Sequence, residues 1–168
     1  ESGILEELLQ HPFIRRPPPK STGRETFGPA FVAEFRGRLA REGVGDRDGL
    51  ATLAAFTVRA VAENIRRFVA DPAAFCDLIV MGGGARNASL VQGLAETLPE
   101  FRVRRAEELG YDCRAVEAVA FAVLAYLTAT GRAGNLPGVT GAIGPRILGA
   151  IVPGRAFRGL GLGPSNAQ

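Results

Sequence analysis

The sequence contains one histidine, two cysteines and no tryptophan. The cysteines, Cys76 and Cys113, are far apart and form no C-x-x-C motif, and His11 is the single histidine. Neither a zinc site nor a disulfide framework is supported, and no serine–histidine–aspartate set is visible. We therefore expect no metal ligands on this chain, a packing role for His11 beside Pro12, and a reducing, cytoplasmic setting.

Lysine and long hydrophobic runs are also scarce. Lys20 is the single lysine, so nineteen of the 20 basic residues are arginines, and most of these alternate with acidic residues. With aromatic residues at 7%, the chain lacks the basic stripe with interleaved aromatics that is typical of nucleic-acid-binding proteins. The longest apolar stretch, 115–129, is too short to span a bilayer and contains Glu117, so we expect no membrane span.

The hydrophobic pattern predicts an α/β chain. The predicted elements are helices at 3–10, 29–42, 48–69, 87–98 and 113–130 and strands at 77–81 and 101–105, with a short strand as an alternative to a loop at 146–152. Asn87 or Ser89 is expected to cap the fourth of these helices. Because two strands alone do not form a stable parallel sheet, either further strands complete the sheet or the chain is part of a larger lobe. We favour the second explanation, that the chain is part of a larger lobe.

Three consecutive glycines follow the predicted strand 77–81. One interpretation of Gly82, Gly83 and Gly84 is close approach of a ligand, because backbone N–H groups without side chains can contact an anion near a helix N-terminus. The other interpretation is a tight strand-to-helix turn that needs positive φ. Asn87 stands where a dinucleotide fingerprint requires glycine, and no phosphate-loop Gly-Lys-Ser/Thr is present. What remains is a candidate nucleotide site at the carboxyl end of a strand.

Glu117 is the one charged residue in the apolar stretch 115–129. A carboxylate flanked by Val116, Ala118 and Val119 is costly to bury unless it is paired or hydrogen-bonded. One interpretation is a buried carboxylate that accepts hydrogen bonds from a polar ligand such as a sugar hydroxyl. The other is a position on the exposed edge of the helix. The residues alone leave both open.

Five motifs occur along the chain in a fixed order: HPFIRRPPPKSTGRETFG, GGGARNASLVQGLAETLP, EELG, EAVAFAVLAYLT and GNLPGVTGAIGPRILGAIVP. Together they resemble the C-terminal half of the anhydro-N-acetylmuramic acid kinase family, over about residues 4–153. The resemblance implies the ribonuclease H-like fold of the sugar kinase and actin-like ATPase superfamily. Residues 1–153 would then be a helix-rich C-terminal lobe with an incomplete sheet, and 154–168 a disordered tail.

The resemblance also implies a function. Family members use ATP, Mg²⁺ and water to cleave the 1,6-anhydro bond of anhydro-N-acetylmuramic acid and phosphorylate O6, which gives N-acetylmuramic acid 6-phosphate. The reaction belongs to peptidoglycan recycling in the bacterial cytoplasm. Gly82, Gly83, Gly84 and Asn87 would then contact the adenosine side of ATP, and Glu117 would bind the anhydro-sugar. The chain would be a fragment of a phosphotransferase with an alcohol group as acceptor.

Two departures from the family pattern bear on this expectation. Arg114 stands three positions before Glu117, where family members commonly carry an acidic residue, and Asp112 lies nearby. The N-terminal lobe, with its phosphate-binding turn and the aspartate expected to act as general base, is not in this chain. We therefore expect no catalytic residue here, no activity of the chain alone, and the N-terminal lobe as a partner.

Two alternatives belong to other functional classes. The chain could be a non-catalytic nucleotide- or sugar-binding module that keeps the fold. It could also form a homodimer through the second face of the predicted helix 48–69, where Ala54, Val58 and Ala62 permit close helix approach. The competing interpretation of that face is packing within the same lobe.

Overall fold

The structure is a computed structural model, and it describes residues 2–69, 71, 74 and 76–155. The elements in chain order are α1 (Ser2–Leu9), α2 (Pro12–Arg15), α3 (Pro29–Glu42), α4 (Asp46–Phe68), β1 (Asp77–Val80), a 3-10 turn (Gly83–Arg86), α5 (Ala88–Thr97), β2 (Arg102–Arg105), a second 3-10 turn (Ala106–Leu109), α6 (Val116–Ala129) and α7 (Pro137–Thr140). The predicted helix-rich α/β order is confirmed, and within the described residues the sheet has two strands.

The sheet packs against two helices. β1 and β2 run parallel, with Leu78 beside Val103, and α5 makes the crossover that a parallel pair requires. Leu78 and Val80 of β1 pack against a core that α4 and α5 share. The buried members of this core are Val58, Ala62, Leu94 and Leu98. The packing sets the start of α5, which follows the glycine loop, next to α4.

The first three helices pack against α4 through two further apolar clusters. Their buried members are Ile4, Phe35 and Leu39 in one cluster and Leu9, Ile14 and Phe56 in the other. His11 lies at the second cluster, where its Nδ1 accepts a hydrogen bond from the Phe13 N–H at 3.2 Å and its ring centroid lies 5.0 Å from that of Phe27. The prediction that His11 has a packing role is confirmed.

The single lysine, Lys20, links the proline-rich connection after α2 to α2 and α4 by hydrogen bonds. Lys20 Nζ donates to the carbonyl oxygens of Phe13 and Ile14, both at 3.2 Å, and to Oδ1 of Asn64 on α4. The ammonium also lies 5.0 Å from the ring centroids of Phe13 and Phe68. All three ammonium donors are used, so this side chain has a structural role.

The second face of α4 is not available for self-association. Val58 is 5% exposed and Ala62 is 1% exposed, because α5 packs against them. The helices approach closely at Gly93, where a Cβ would lie 2.9 Å from Val58 Cγ2. The prediction of a homodimer through this face is therefore wrong, and packing within the same chain is confirmed. Homodimerisation through another surface stays a prediction.

Up to residue 155, where the described part of the chain ends, the C-terminal part adds helices but no strand. Arg146 donates its N–H to Asn135 Oδ1 at 2.6 Å and accepts from the Gly134 N–H at 3.0 Å, so the segment 146–152 joins a loop and not the sheet. The loop alternative for this segment is confirmed. Of the predicted tail 154–168, residues 156–168 lie outside the described residues, and its disorder stays a prediction.

α6 is largely exposed, and none of its residues is buried by the described chain. Four of its large apolar side chains, Val119, Phe121, Val123 and Tyr126, are more than half exposed. Within the described chain, no helix combines the length and the apolar character that crossing a membrane requires.

Candidate functional site

The glycine loop, residues 82–86, changes direction at Gly82 and is packed into the protein at Ala85. Gly82 has a φ of 76°, a left-handed conformation that glycine adopts without strain. Gly83–Arg86 then form the 3-10 turn, and within it Ala85 is buried against Ala106 and Cys113. The loop is therefore held at its centre while the glycines that precede Ala85 stay at the surface.

Gly83 and Gly84 differ from Gly82, because neither has a positive φ. A Cβ built on Gly83 would meet no atom within 4 Å, and a Cβ built on Gly84 would meet Leu90 Cδ1 at 3.9 Å, an ordinary contact. Neither backbone conformation nor packing in the described part of the chain requires glycine at these two positions. The turn interpretation explains Gly82, and the contact of Gly83 and Gly84 with a ligand stays a prediction.

Asn87 makes the predicted cap of α5. Its Oδ1 accepts hydrogen bonds from the backbone N–H groups of Ser89 at 3.1 Å and Leu90 at 3.4 Å. The cap uses the side-chain oxygen and leaves the NH₂ group of the amide as a donor toward a ligand. The partial positive charge at this helix end favours an anionic group beside it.

A cleft of about 560 Å³ lies between α4 and α5 and reaches Asn87. The cleft is lined by Arg47, Leu50, Ala51, Ala54, Ala55, Val58 and Arg59 of α4 and by Asn87, Ser89, Gly93 and Thr97 at α5. Three of the seven α4 residues on this wall are alanines, which leave space between the helices. Its volume falls in the range of small-molecule pockets and suits a group of nucleoside size.

Sequence reasoning missed the α4 wall of this cleft. The run Leu50–Phe56 was predictable as helix, and one of its alanines, Ala54, was assigned to a possible self-association face. Periodicity identifies an apolar face, but it does not indicate whether a neighbouring helix packs directly on that face or leaves a cleft beside it. The alanine enrichment was the one available signal of a site.

Glu117 is exposed, in the first turn of α6. The interpretation as a buried carboxylate is therefore wrong, and the exposed position is confirmed. The physical reason is that the described chain leaves this part of α6 open: Val119 is 59% exposed and Phe121 is 70% exposed. A carboxylate in the first turn also interacts favourably with the helix N-terminus. Glu117 does not line the cleft between α4 and α5, and its role as a sugar ligand stays a prediction.

Asp112 lies before α6 and is engaged by Arg114. Its Oδ1 accepts from the Arg114 N–H at 2.8 Å and lies 3.4 Å from the Arg114 Nε. These hydrogen bonds, first the one from the backbone, lower the pKa of the Asp112 carboxyl. Asp112 is thus an ionised, exposed carboxylate in the connection that leads to Glu117, and not part of the same helix.

No metal centre is formed by the described side chains, since none of them come together as a group of three histidine, cysteine or carboxylate ligands. Of the predicted site residues, Asn87 lines the cleft, whereas Gly82, Gly83 and Gly84 do not, and Glu117 lies on a separate helix. The glycine loop and the cap can contact a ligand through backbone N–H groups and one side-chain amide. Among the residues in view, we assign none to Mg²⁺.

The fold and this site define a helix-rich α/β chain whose first strand leads through a glycine-rich turn to a capped helix beside a cleft. The family model for anhydro-N-acetylmuramic acid kinase matches residues 1–154. The chain belongs to this family.

Curated relatives carry the same description. An anhydro-N-acetylmuramic acid kinase of Chromobacterium violaceum is 43% identical over 150 residues, which are 89% of this chain and 40% of the relative. That of Cupriavidus pinatubonensis is 42% identical over 153 residues, 91% of this chain and 40% of the relative. That of Acaryochloris marina is 40% identical over 148 residues, 88% of this chain and 38% of the relative. The chain thus spans about two fifths of the length of these relatives.

Proposed function

We propose that this chain forms the adenosine-contacting part of an ATP-dependent kinase, with Gly82, Gly83, Gly84 and Asn87 at the nucleotide. The observation that carries the proposal is that Gly83 and Gly84 lack a Cβ although nothing in the described chain requires this. They lie four and three residues before Asn87, which lines a cleft of nucleoside size. Backbone N–H groups without side chains over them, beside the start of a helix, suit acceptor atoms of a closely approaching nucleotide.

The proposed reaction follows from the family. The three relatives are named anhydro-N-acetylmuramic acid kinase, and we assign this chain to a kinase with the same substrate. ATP with Mg²⁺ supplies the phosphoryl group, the 1,6-anhydro bond is cleaved with water, and O6 is phosphorylated to give N-acetylmuramic acid 6-phosphate. The proposal places this reaction in cytoplasmic peptidoglycan recycling and gives the protein the sugar kinase and actin-like ATPase fold.

The proposal divides the site between this chain and further polypeptide. Phosphoryl transfer depends on positioning and on electrostatic stabilisation of the transferred group by metal ions and phosphate-loop contacts. We assign the phosphate-binding turn, the general base and the Mg²⁺ ligands to the N-terminal lobe of the family. This chain would hold the adenosine side through its glycine loop and would be inactive alone.

Calorimetric titration of Mg-ADP into the 168-residue chain tests the nucleotide site. Saturable binding is expected for the wild type and its loss for Gly83→Val, because the valine side chain would occupy the space above the turn. Gly83→Val is not expected to disturb the fold, since the backbone at Gly83 is not left-handed and the space at its Cβ position is open. Gly138→Val on α7, where a Cβ is equally unobstructed, is the matched control and is expected to bind like the wild type.

Two results would contradict the nucleotide assignment. Equal binding by the wild type and Gly83→Val would mean that the glycine loop does not contact the ligand. No heat with ADP up to millimolar concentration, in the chain and in its complex with the N-terminal lobe, would remove the nucleotide site altogether. ADP binding by a complex that produces no phosphosugar would favour the non-catalytic module.

The sugar role of Glu117 needs the complete kinase. We expect Glu117→Ala to weaken sugar turnover far more than ATP binding, and Glu117→Gln to restore part of it because the amide still accepts a hydrogen bond. Glu117 is exposed on α6, so the substitution is not expected to unfold the chain. Equal damage to sugar and nucleotide binding would mean that Glu117 acts only through the structure.

A further inference from the structure

The connections that follow β1 and β2 lie at the same edge of the sheet. The two strands run parallel, so the glycine loop after β1 and the segment 106–113 after β2 both leave from the carboxyl ends of the strands. Ala85 of the loop packs against Ala106 and Cys113 of this segment. In open α/β sheets, ligands bind in the crevice outside the carboxyl ends of the strands. The segment 106–113 is therefore a second candidate for ligand contact, beside the glycine loop.

An apolar pocket of about 280 Å³ opens at this edge. Its lining comes from the ends of both strands and from the start of α6, where Val116 and Val119 contribute. Met81 on the wall is 50% exposed and Tyr111 is 67% exposed, so an accessible apolar surface lies beside an aromatic ring. A pocket with such a lining suits the apolar face of a small ring.

A more polar pocket of about 510 Å³ adjoins the apolar one, and Tyr111 and Asp112 line both. The polar pocket is also lined by Arg114 and by Arg86, the last residue of the glycine loop. Consecutive residues thus open on different cavities, Arg86 on this pocket and Asn87 on the cleft between α4 and α5. A ligand at Tyr111 and Asp112 would lie next to the glycine loop without occupying the nucleotide cleft.

Arg114 fixes the carboxylate of Asp112 at the junction of the two pockets. The Arg114 N–H donates to Asp112 Oδ1 at 2.8 Å, and Arg114 Nη2 lies 3.5 Å from Oδ2. The backbone hydrogen bond is the main reason that the pKa of this carboxyl is lowered, and the charge of Arg86 adds to the effect. The ionised carboxylate keeps acceptor sites for further hydrogen bonds. The arrangement depends on the arginine at position 114, where family members commonly carry an acidic residue.

We propose that Tyr111 and Asp112 form a sugar subsite of the kinase, in which Asp112 accepts hydrogen bonds from hydroxyl groups and the Tyr111 ring covers an apolar face of the sugar. A pyranose ring offers both surfaces, because its hydroxyl groups point outward and its C–H groups form apolar patches. An ionised carboxylate and an amphipathic aromatic ring match these surfaces. The inference rests on the proposed function, since the amino sugar is that of the proposed reaction, and it adds two binding residues to the predicted ligand Glu117.

Sugar binding to the complete kinase, this chain together with the N-terminal lobe, tests the subsite without turnover. Calorimetric titration with anhydro-N-acetylmuramic acid gives the Kd of each variant. Asp112→Asn is expected to raise this Kd about tenfold, because a neutral amide is a weaker acceptor than a carboxylate. Glu34→Gln, at an exposed carboxylate of α3, is the matched control and should bind like the wild type.

Two variants of Tyr111 test the aromatic contact. Tyr111→Ala is expected to raise the sugar Kd about tenfold, because the apolar contact is lost. Tyr111→Phe keeps the ring and is expected to retain most of the affinity. Equal loss in Tyr111→Phe and Tyr111→Ala would contradict the role of the ring.

Arg114 acts through Asp112 and is therefore a positioning residue. Arg114→Gln keeps the backbone N–H and loses the guanidinium, so its sugar Kd should rise less than that of Asp112→Asn. Arg114→Lys is expected to restore part of the loss, because the ammonium still pairs with the carboxylate. Added to Asp112→Asn, Arg114→Gln should produce no further rise. An additive rise in the double variant would contradict the positioning role.

Two results would overturn the subsite. One is an unchanged sugar Kd in folded Asp112→Asn and Tyr111→Ala. The other is the absence of saturable sugar binding by the wild type, with and without ADP. Circular dichroism and thermal unfolding show whether each variant is folded, and both residues are exposed, so the substitutions are expected to leave the fold intact.

Tyrosine nitration of the wild type covers the case in which a variant does not fold. The chain has two tyrosines, and both are exposed, Tyr111 by 67% and Tyr126 by 57%. Saturating sugar is expected to slow the reaction of Tyr111 with tetranitromethane severalfold and to leave Tyr126, the internal control, unchanged. Peptide mass spectrometry measures both rates. Equal nitration of Tyr111 with and without sugar would overturn the subsite.

Mg-ADP titrations on the same proteins separate this inference from the nucleotide proposal. Asp112 does not line the cleft between α4 and α5, so Asp112→Asn is expected to bind ADP like the wild type. Sugar binding that depends on Asp112, in a protein that binds no ADP, would support the subsite and contradict the nucleotide site. ADP binding by a protein whose sugar Kd ignores Asp112→Asn would contradict the subsite and leave the nucleotide site standing.

Discussion

At the scale of single residues, burial and one hydrogen bond give the two cysteine thiols different expected reactivities. Cys113 is 1% exposed, and its Sγ lies 2.7 Å from Glu107 Oε2, to which the thiol donates. This hydrogen bond, followed by desolvation, raises the pKa of the Cys113 thiol, while the same bond lowers the pKa of the Glu107 carboxyl. Cys76 is exposed at the start of β1. The thiolate that reacts with electrophiles is thus suppressed at Cys113.

We predict that iodoacetamide at neutral pH modifies Cys76 well before Cys113. Peptide mass spectrometry of the native chain gives the two rates, and the same measurement in denaturant provides the reference without structure. Glu107→Gln is the informative variant: it removes the negative charge beside the thiol and should speed modification of Cys113 only if that charge suppresses the thiolate. Faster labelling of Cys113 than of Cys76 in the native chain would contradict the buried position.

At the scale of elements, an ion-pair cluster joins β1 and β2. Asp77 Oδ1 lies 2.6 Å from Arg102 Nε, and Asp77 Oδ2 lies 3.4 Å from an Arg104 guanidinium nitrogen. The hydrogen bond from Arg102 is the main reason that the pKa of the Asp77 carboxyl is lowered from its ordinary 3.8. Between the folded and unfolded pKa values, the unfolded chain binds more protons. The pair therefore stabilises the fold above pH 3.8 and stops doing so as the pH falls through the lower folded value.

We predict that Asp77→Asn makes the melting temperature less sensitive to acid below about pH 4, because the variant cannot lose this ionised carboxylate. Melting curves from pH 6 down to about pH 3 measure the difference in slope. Glu34→Gln, at an exposed position of α3, is the control and should follow the wild type. Parallel curves for the wild type and Asp77→Asn would show that the pair contributes nothing to folding.

At the scale of the whole molecule, the apolar surface is distributed unevenly. Phe35 is 5% exposed in a cluster with α1, whereas Phe121 on α6 is 70% exposed. The outer side of α6 is continuous with the apolar pocket beside β1 through Val119. Exposed apolar patches of this kind mark interaction sites. The exposed apolar side chains thus concentrate around α6 and β1, while the helices around α4 have their own cores.

We predict that this asymmetry is visible in solution. Phe35→Ala should cost about 3 kcal/mol of the free energy of unfolding, because it opens a cavity in a packed cluster. Phe121→Ala should cost less than about 0.5 kcal/mol and should instead reduce the fluorescence of a dye that binds apolar surface. Urea unfolding and dye titration on the same samples measure both effects. A large loss of stability in Phe121→Ala would show that α6 is packed.

The local elements could be predicted from the sequence, because each depends on interactions between residues that are close along the chain. Helix periods predicted α3 to its observed bounds, Pro29–Glu42, and an asparagine before an apolar run predicted the cap that Asn87 makes. Alternation and apolar runs predicted β1 and β2 to within a residue. These features depend on backbone conformation and short-range hydrogen bonds, so neighbouring residues determine them.

Packing partners were decided only by the tertiary structure. The sequence by itself determined the α/β order, the family motifs and the position of the glycine loop. It did not determine that α5 covers Val58 and Ala62, that α4 and α5 leave a cleft between them, or that Glu117 is exposed in the described part of the chain. An apolar face has the same pattern whether its partner is another helix, a ligand or a further strand. Burial depends on contacts between residues that are distant along the chain, and those contacts exist only in the folded molecule.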